Sequence, residues 1–535
     1  MKNAPRVSVV GFDGGTWDLL KPWMQAGLLP NLARLEEQGS TGVLSSTIPP
    51  WTPTAWSSFA TGKNPGKHGV FGFSTRTTDG SIRWVSSKSI RTPTLWRILS
   101  DNGLRVGLLN VPLTYPPEDL NGFVVSGFPT PPNAPDLSAP RELFEELRAQ
   151  LGDYVVDMDL DGVWGRDVPE REALALLERL EQMTRKRCAA LSYLLERYPT
   201  DFLMVVFVAS DRIQHMFWKY LDPAEPLYHR PEAPRYRDRI MRSYALMDQS
   251  LGQLLDLTGE DGYVFLVSDH GFGPRDKLFL MNKWLRHQHL QKQQTAKALL
   301  KSVSRRLGLW NRKGLSKMLP EGLKNDPCID WRQTQAHAGS IYESGIYLDL
   351  GEAPDRGALD GLRGRLTDEL TSLRDNETGA PVIKRVLRRE EVFSGPFVSE
   401  GPDVVLCPNK GYYPVDFGSR PFEGCLRKVA GAGGDHREEG IVACYGPGTT
   451  PGGRLESAHI MDLAPTILYV MGLPVPDDMD GRVLSELFEE ELLARNPVRQ
   501  CHTTEPRQEA APDDVYSADD AEAIYQRLKA IGYVG

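Results

Sequence analysis

RVSVVGFD, residues 6–13, is a run of apolar, β-branched residues closed by an aspartate. Two further stretches repeat the pattern: FLMVVFVASD (202–211) and YVFLVSDHG (263–271). Continuous apolar runs of this length read as strands buried on both faces of a parallel sheet. Helix-like stretches lie between them, such as LLKPWMQAGLLPNLARLEEQG after the first run. That alternation predicts an α/β fold, with a mostly parallel central sheet flanked by helices on both faces. Further strands are expected at RVGLLNVP (105–112), GFVVSGF (122–128), SGIYLDL (344–350), DVVLCP (403–408) and GIVACYG (440–446).

Two stretches break the rhythm and are expected as helical cap insertions. Residues 129–200 open with the Pro-rich PTPPNAPDLSAP and turn helical. Residues 276–335 form a basic helical lid, with eleven Lys/Arg against two acids between Met281 and Asp326. Either that charge is a solvated helix face, or it attracts an anionic substrate or an acidic membrane surface. The resulting plan is core at 1–128, 201–275 and 336–490, insertions at 129–200 and 276–335, and a polar tail with a short helix at 491–535.

A chain of 535 residues accommodates one large core with insertions. The net charge of −9 tells against nucleic acid as the main partner. No run approaches the ~18 apolar residues of a spanning helix. The six scattered cysteines form no CxxC pair, which suits a reducing compartment. The apolar part of MKNAPRVSVVGFDGG is too short for a signal peptide, and the expected location is cytoplasmic.

Ligands of open α/β sheets collect beyond the carboxyl ends of strands, where Asp13, Asp211 and Asp269 stand. Each alone reads first as a helix cap. Their company is more specific. His215 follows Asp211 by four residues, on one face of a helical turn, and His270 follows Asp269 directly. His436 sits in the glycine-rich GAGGDHREEG, with Asp435 beside it as a partner able to orient it. Mixed Asp/His ligation suits Zn²⁺, with Mn²⁺ as the alternative. In PPWTPTAWSSFATGKNPGKHG (49–69), Thr52 caps a helix, presents a nucleophilic hydroxyl at its positive end, or does both, since the two roles are compatible. In the loop behind it, Lys63 is the candidate substrate contact, or else a solvated lysine, and His68 is read as structural. His459 is a weaker ligand candidate than His436, and His337 reads first as ordinary packing, with an approach to the substrate as the alternative.

The ordered set Asp13, Thr52, Asp211-xxx-His215, Asp269-His270 and His436 resembles the alkaline phosphatase superfamily. Within it, the set is similar to the type I phosphodiesterase/nucleotide pyrophosphatase family. The resemblance runs from the first strand to DLAPTILYVMGLPVPDDMDGRVL (462–484). It implies an alkaline-phosphatase-like core and two divalent ions. Asp211, His215 and His436 would hold one, and Asp13, Thr52, Asp269 and His270 the other. It further implies hydrolysis of phosphodiester or nucleotide pyrophosphate bonds in a small phosphorylated substrate, through a phospho-Thr52 intermediate. Phosphomonoester hydrolysis, phosphotransfer and a non-catalytic metal-binding role are the alternatives. Gly72 and Phe73 stand where such pyrophosphatases tend to carry a phosphate-binding Asn, which leaves nucleotide specificity open.

Overall fold

A computed structural model describes residues 6–76, 82–131, 134, 136–158, 168–259, 261–294, 329–339, 344–349, 356–415, 424–503 and 515–530. The chain divides into two compact units. One comprises Met1–Pro274, Phe393–Glu400 and Ala430–Val534, and the other Arg275–Val392 and Gly401–Val429.

The first unit is built on a nine-stranded sheet. From one edge its strands are Gly453–His459, Ser40–Ser45, Glu439–Tyr445, Tyr263–Val267, Val7–Phe12, Phe202–Phe207, Val106–Leu109, Gly122–Val125 and Ser138–Ala139. The run from Tyr263–Val267 to Gly122–Val125 is parallel throughout. Every residue of its three middle strands is buried, so helices must cover both faces. Helices Pro30–Gln38, Glu170–Arg197 and Ala209–Leu221 pack against the long helix Ala233–Leu257. Helices Leu95–Asp101 and Leu463–Val470 pack against Thr52–Thr61.

Residues 129–200, expected as an insertion, supply the edge strand Ser138–Ala139 and helices Glu142–Leu151 and Glu170–Arg197, all within this unit. Of the tail, helix Ala518–Ala530 belongs to it as well, with Tyr516 Oη donating to Val85 O (3.2 Å).

The second unit holds a four-stranded antiparallel sheet, in the order Ala336–Ala338, Gly345–Leu348, Val404–Pro408, Ile383–Arg388. The strands expected at 344–350 and 403–408 therefore pair with each other, outside the large sheet. An apolar run specifies a strand but not the sheet that takes it. Ile346, Leu366, Leu370, Val404 and Leu406 form part of its core. Most of the basic stretch read as a lid, residues 295–328, lies outside the described residues.

Candidate metal centre

Three neighbouring parallel strands bring the aspartates together. Phe12 pairs with Phe207 and Gly11 with Val267, so Asp13, Asp211 and Asp269 leave the sheet side by side, at the ~4.8 Å strand spacing. Asp211 lies in the first turn of helix Ala209–Leu221, which carries His215 on the same face. Asp269 and His270 precede strand Gly271–Leu280, whose start pairs antiparallel with Gly434–Arg437. That register sets Phe272 opposite His436 and lets the His270 and His436 rings stack at 3.5 Å. Gly271 is required here: a Cβ would sit 2.0 Å from Glu439 O.

Thr52 is the first residue of helix Thr52–Thr61, and Trp51 is its N-cap. The capping alternative for Thr52 is not what the structure contains, because the hydroxyl makes no cap bond. Its Oγ1 lies instead 3.4 Å from His270 Nε2. One turn on, Trp56 Nε1 donates to Asp13 Oδ2 (3.2 Å), so the same helix face presents the hydroxyl and anchors a carboxylate.

The three imidazoles share one arrangement. His215 Nδ1 faces Gly434 O (3.3 Å), His270 Nδ1 faces Gly271 O (3.1 Å), and His436 Nδ1 faces Pro50 O (3.0 Å). A carbonyl only accepts, so each Nδ1 carries the proton and each Nε2 offers a lone pair. Metal-ligating histidines characteristically donate their other nitrogen in this way.

The lone pairs form two clusters that overlap, since Asp211 also groups with His270 and His436. Asp211 Oδ1 is 3.2 Å from both His215 Nε2 and His436 Nε2, which are 3.0 Å from each other. His270 Nε2 is 3.4 Å from Thr52 Oγ1, 3.4 Å from Asp269 Oδ2 and 3.6 Å from Asp13 Oδ1. Two ligands each ~2.0 Å from a tetrahedral ion lie about 3.3 Å apart, so both spacings suit a Zn²⁺-sized cation. Asp13 Oδ1 and Asp269 Oδ2 are buried without a hydrogen-bond partner, which a cation would remedy.

The electrostatics agree. Burial, and then the Asp211 charge, push the Asp13 carboxyl well up. Burial and Asp13 do the same to Asp269. Burial also works to raise Asp211, but the Arg212 guanidinium bonded to it helps hold it well below the usual carboxylate range. Burial holds His270 and His436 down, which keeps their rings neutral. Crowded carboxylates beside neutral imidazoles call for an external positive charge.

Other candidates have different occupations. The Lys63 ammonium bonds Asp478 and Thr92 Oγ1, the latter at 2.7 Å, and not the Asp/His cluster. His68 is fully buried, accepting from Val70 N at Nδ1 (3.2 Å) and meeting Ser58 Oγ at Nε2 (2.9 Å). His459 Nδ1 caps the turn Ile460–Asp462, and His337 stacks on Tyr347 in the second unit. Asp435 Oδ1 accepts from His436 N (2.9 Å), and the residue also groups with His215 and His436 as possible ligands. Sequence reasoning missed Trp56, Phe272 and Arg212. Phe272 walls all three histidine rings, and Arg212 bonds Asp211. The signal for Trp56 was its place one turn beyond Thr52.

The sequence profile of the type I phosphodiesterase / nucleotide pyrophosphatase family matches residues 7–417. The chain belongs to this family. Membership supports phosphoric ester hydrolysis as the reaction class. The matched span includes Asp13, Thr52, Asp211, His215, Asp269 and His270 and ends before His436, whose place rests on the geometry above.

Two solved structures show this family member's fold to be alkaline-phosphatase-like. Phosphonoacetate hydrolase from Sinorhizobium meliloti 1021, in complex with phosphonoacetate, is 17% identical with a TM-score of 0.50, covering 86% of this chain and 94% of that one. Alkaline phosphatase PafA is 14% identical with a TM-score of 0.50, covering 91% and 99%. A 2,3-bisphosphoglycerate-independent phosphoglycerate mutase of Laribacter hongkongensis (strain HLHK9) is 46% identical over 53 residues, 10% of either chain. Among the described residues, no helix is long and apolar enough to cross a membrane.

Proposed function

We propose that the protein is a two-metal hydrolase of phosphoric diesters or pyrophosphates that works through a covalent phosphoryl-Thr52 intermediate. The observation that carries this reading is the convergence of three Nε2 lone pairs and two unpartnered carboxylate oxygens, with one buried threonine hydroxyl 3.4 Å from His270. Asp211, His215 and His436 would hold one ion and Asp13, Thr52, Asp269 and His270 the other, with Zn²⁺ ahead of Mn²⁺. Bound there, the ions would lower the threonine hydroxyl's pKa and stabilise the attacking and leaving oxygens of an in-line displacement.

The chain's own groups supply the rest. The N-terminus of helix Thr52–Thr61 favours negative charge on the phosphoryl oxygens. In the first step the Thr52 Oγ–P bond forms as the bond from phosphorus to the leaving oxygen breaks, and the hydroxyl proton passes to solvent. In the second, water oxygen bonds to phosphorus, the Oγ–P bond breaks, and Oγ regains a proton. Phe272 and Trp51 shield the histidines from bulk water on their flanks.

Family membership puts the diester ahead of the monoester, and three described cations are already committed elsewhere. A monoester brings a second negative charge to its phosphoryl group. Arg212 bonds Asp157 and Asp211, Lys63 bonds Asp478, and Arg437 bonds the carbonyls of His436 and Pro274. A cytoplasmic location accompanies the reading, supported by free thiols at all five described cysteines.

The test compares a nitrophenyl phosphodiester, a pyrophosphate and a nitrophenyl monoester, with protein stripped of metal and reloaded with Zn²⁺ or Mn²⁺. Diester or pyrophosphate turnover should dominate, and Thr52→Ala should lower it by at least ~10³-fold while abolishing the adduct seen by rapid-quench intact mass. A Thr52→Ala protein with normal metal content and undiminished turnover would refute the nucleophile assignment.

A further inference from the structure

We infer that Arg212 and Asp157 are a positioning pair that sets which oxygen of Asp211 faces the metal. The inference rests on the two-metal reading above and goes beyond its ligand set. Arg212 and Asp157 are buried, and neither belongs to a group of metal-ligand atoms. The guanidinium bridges two carboxylates, with Nη1 on Asp211 Oδ2 and Nη2 on Asp157 Oδ2 (2.8 Å). Its Cζ lies over the Phe128 ring, 4.7 Å from the centroid. Asp157 is itself fixed, because its other oxygen accepts from Met158 N (2.9 Å).

The consequence falls on Asp211. Arg212 claims Oδ2, and Oδ1 faces His215 and His436 at 3.2 Å. A carboxylate held in this way offers a cation one oxygen in a fixed direction. Left unclamped, it could turn to offer both oxygens or swing toward His270 Nε2, already 4.0 Å from Oδ1. The guanidinium suits the task because its planar fork engages two carboxylates at once, whereas an ammonium is a single point charge. Asp157 offsets the arginine's charge, so that the buried cation does not simply oppose a second cation nearby. Sequence reading passes over this pair because its members lie 55 residues apart.

The test is metal affinity, measured by calorimetric titration of the metal-stripped full-length protein with Zn²⁺. Wild type, Arg212→Met, Arg212→Lys and Asp157→Asn are compared, with circular dichroism to establish folding. Wild type should bind two ions. Arg212→Met should weaken one of them by roughly 10–100-fold and leave the other near its wild-type affinity. Arg212→Lys should rescue only partly. Asp157→Asn, which keeps an acceptor oxygen for either Met158 N or Arg212 but not for both, should fold and weaken the same ion by less. If Arg212→Met fails to fold, Asp157→Asn and Arg212→Lys carry the test. Folded variants that bind both ions with wild-type affinity overturn the inference while leaving the two-metal reading intact. A wild-type protein that binds no metal overturns both.

Discussion

Buried His68 makes the pH dependence of stability calculable. Its ring takes one bond from the Val70 amide and gives one to Ser58 on helix Thr52–Thr61, so it fits only as the neutral tautomer. Burial, reinforced by Lys63 and Arg91, pushes its pKa down to about 3 from an ordinary 6.5. A lowered folded-state pKa means that the unfolded chain binds the extra proton as pH falls below 6.5. The contribution to stability is therefore complete above that value and is lost progressively toward pH 3. At pH 5 the unfolded-state histidine is almost fully protonated and the folded one is not, which costs about 2 kcal/mol for this one residue. The assay is urea unfolding of metal-free wild type and His68→Gln at pH 7.5 and pH 5. Wild type should lose about 2 kcal/mol more than the variant between the two pH values, the other titrating groups cancelling in the difference. Equal losses would refute the reasoning.

Lys63→Met should lower stability by about 2 kcal/mol, discounted from the cost of a fully buried pair because Asp478 is 34% exposed. Unfolding should register this, while turnover per folded molecule stays within a few-fold; a rise in KM alone with unchanged stability would restore Lys63 to the substrate. Gly271→Ala should destabilise by at least ~2 kcal/mol, since the added Cβ meets the Glu439 carbonyl at 2.0 Å and backbone cannot step aside cheaply. Thermal unfolding checks it, with an unchanged midpoint as the contrary result.

The legible parts of this protein were those written in local pattern. The runs at 6–13, 202–211 and 263–271 are buried on both faces in adjacent parallel strands, so their closing aspartates were bound to emerge together. The Asp211–His215 spacing already specified one helical turn. What local pattern omits is the partner. Lys63 is 415 residues from Asp478, Asp157 is 55 from Arg212, and no composition signals either pairing. The carbonyls that fix the three histidine tautomers belong to a proline and two glycines, whose side chains say nothing about accepting a hydrogen bond. The sequence reads Pro53 as the first helical residue, whereas the helix starts at Thr52 with Trp51 as its N-cap, and Thr52 faces His270. The apolar runs at 344–350 and 403–408 were recognisable as strands. Their pairing in a separate sheet depends on long-range contacts.

Anomalous diffraction at the zinc edge, from crystals of metal-reconstituted protein, tests the centre most directly. Two peaks are predicted, one bonded by Asp211, His215 and His436, the other by Asp13, Thr52, Asp269 and His270. A map with no peak among these side chains, or with zinc bound only elsewhere on the molecule, would contradict the account.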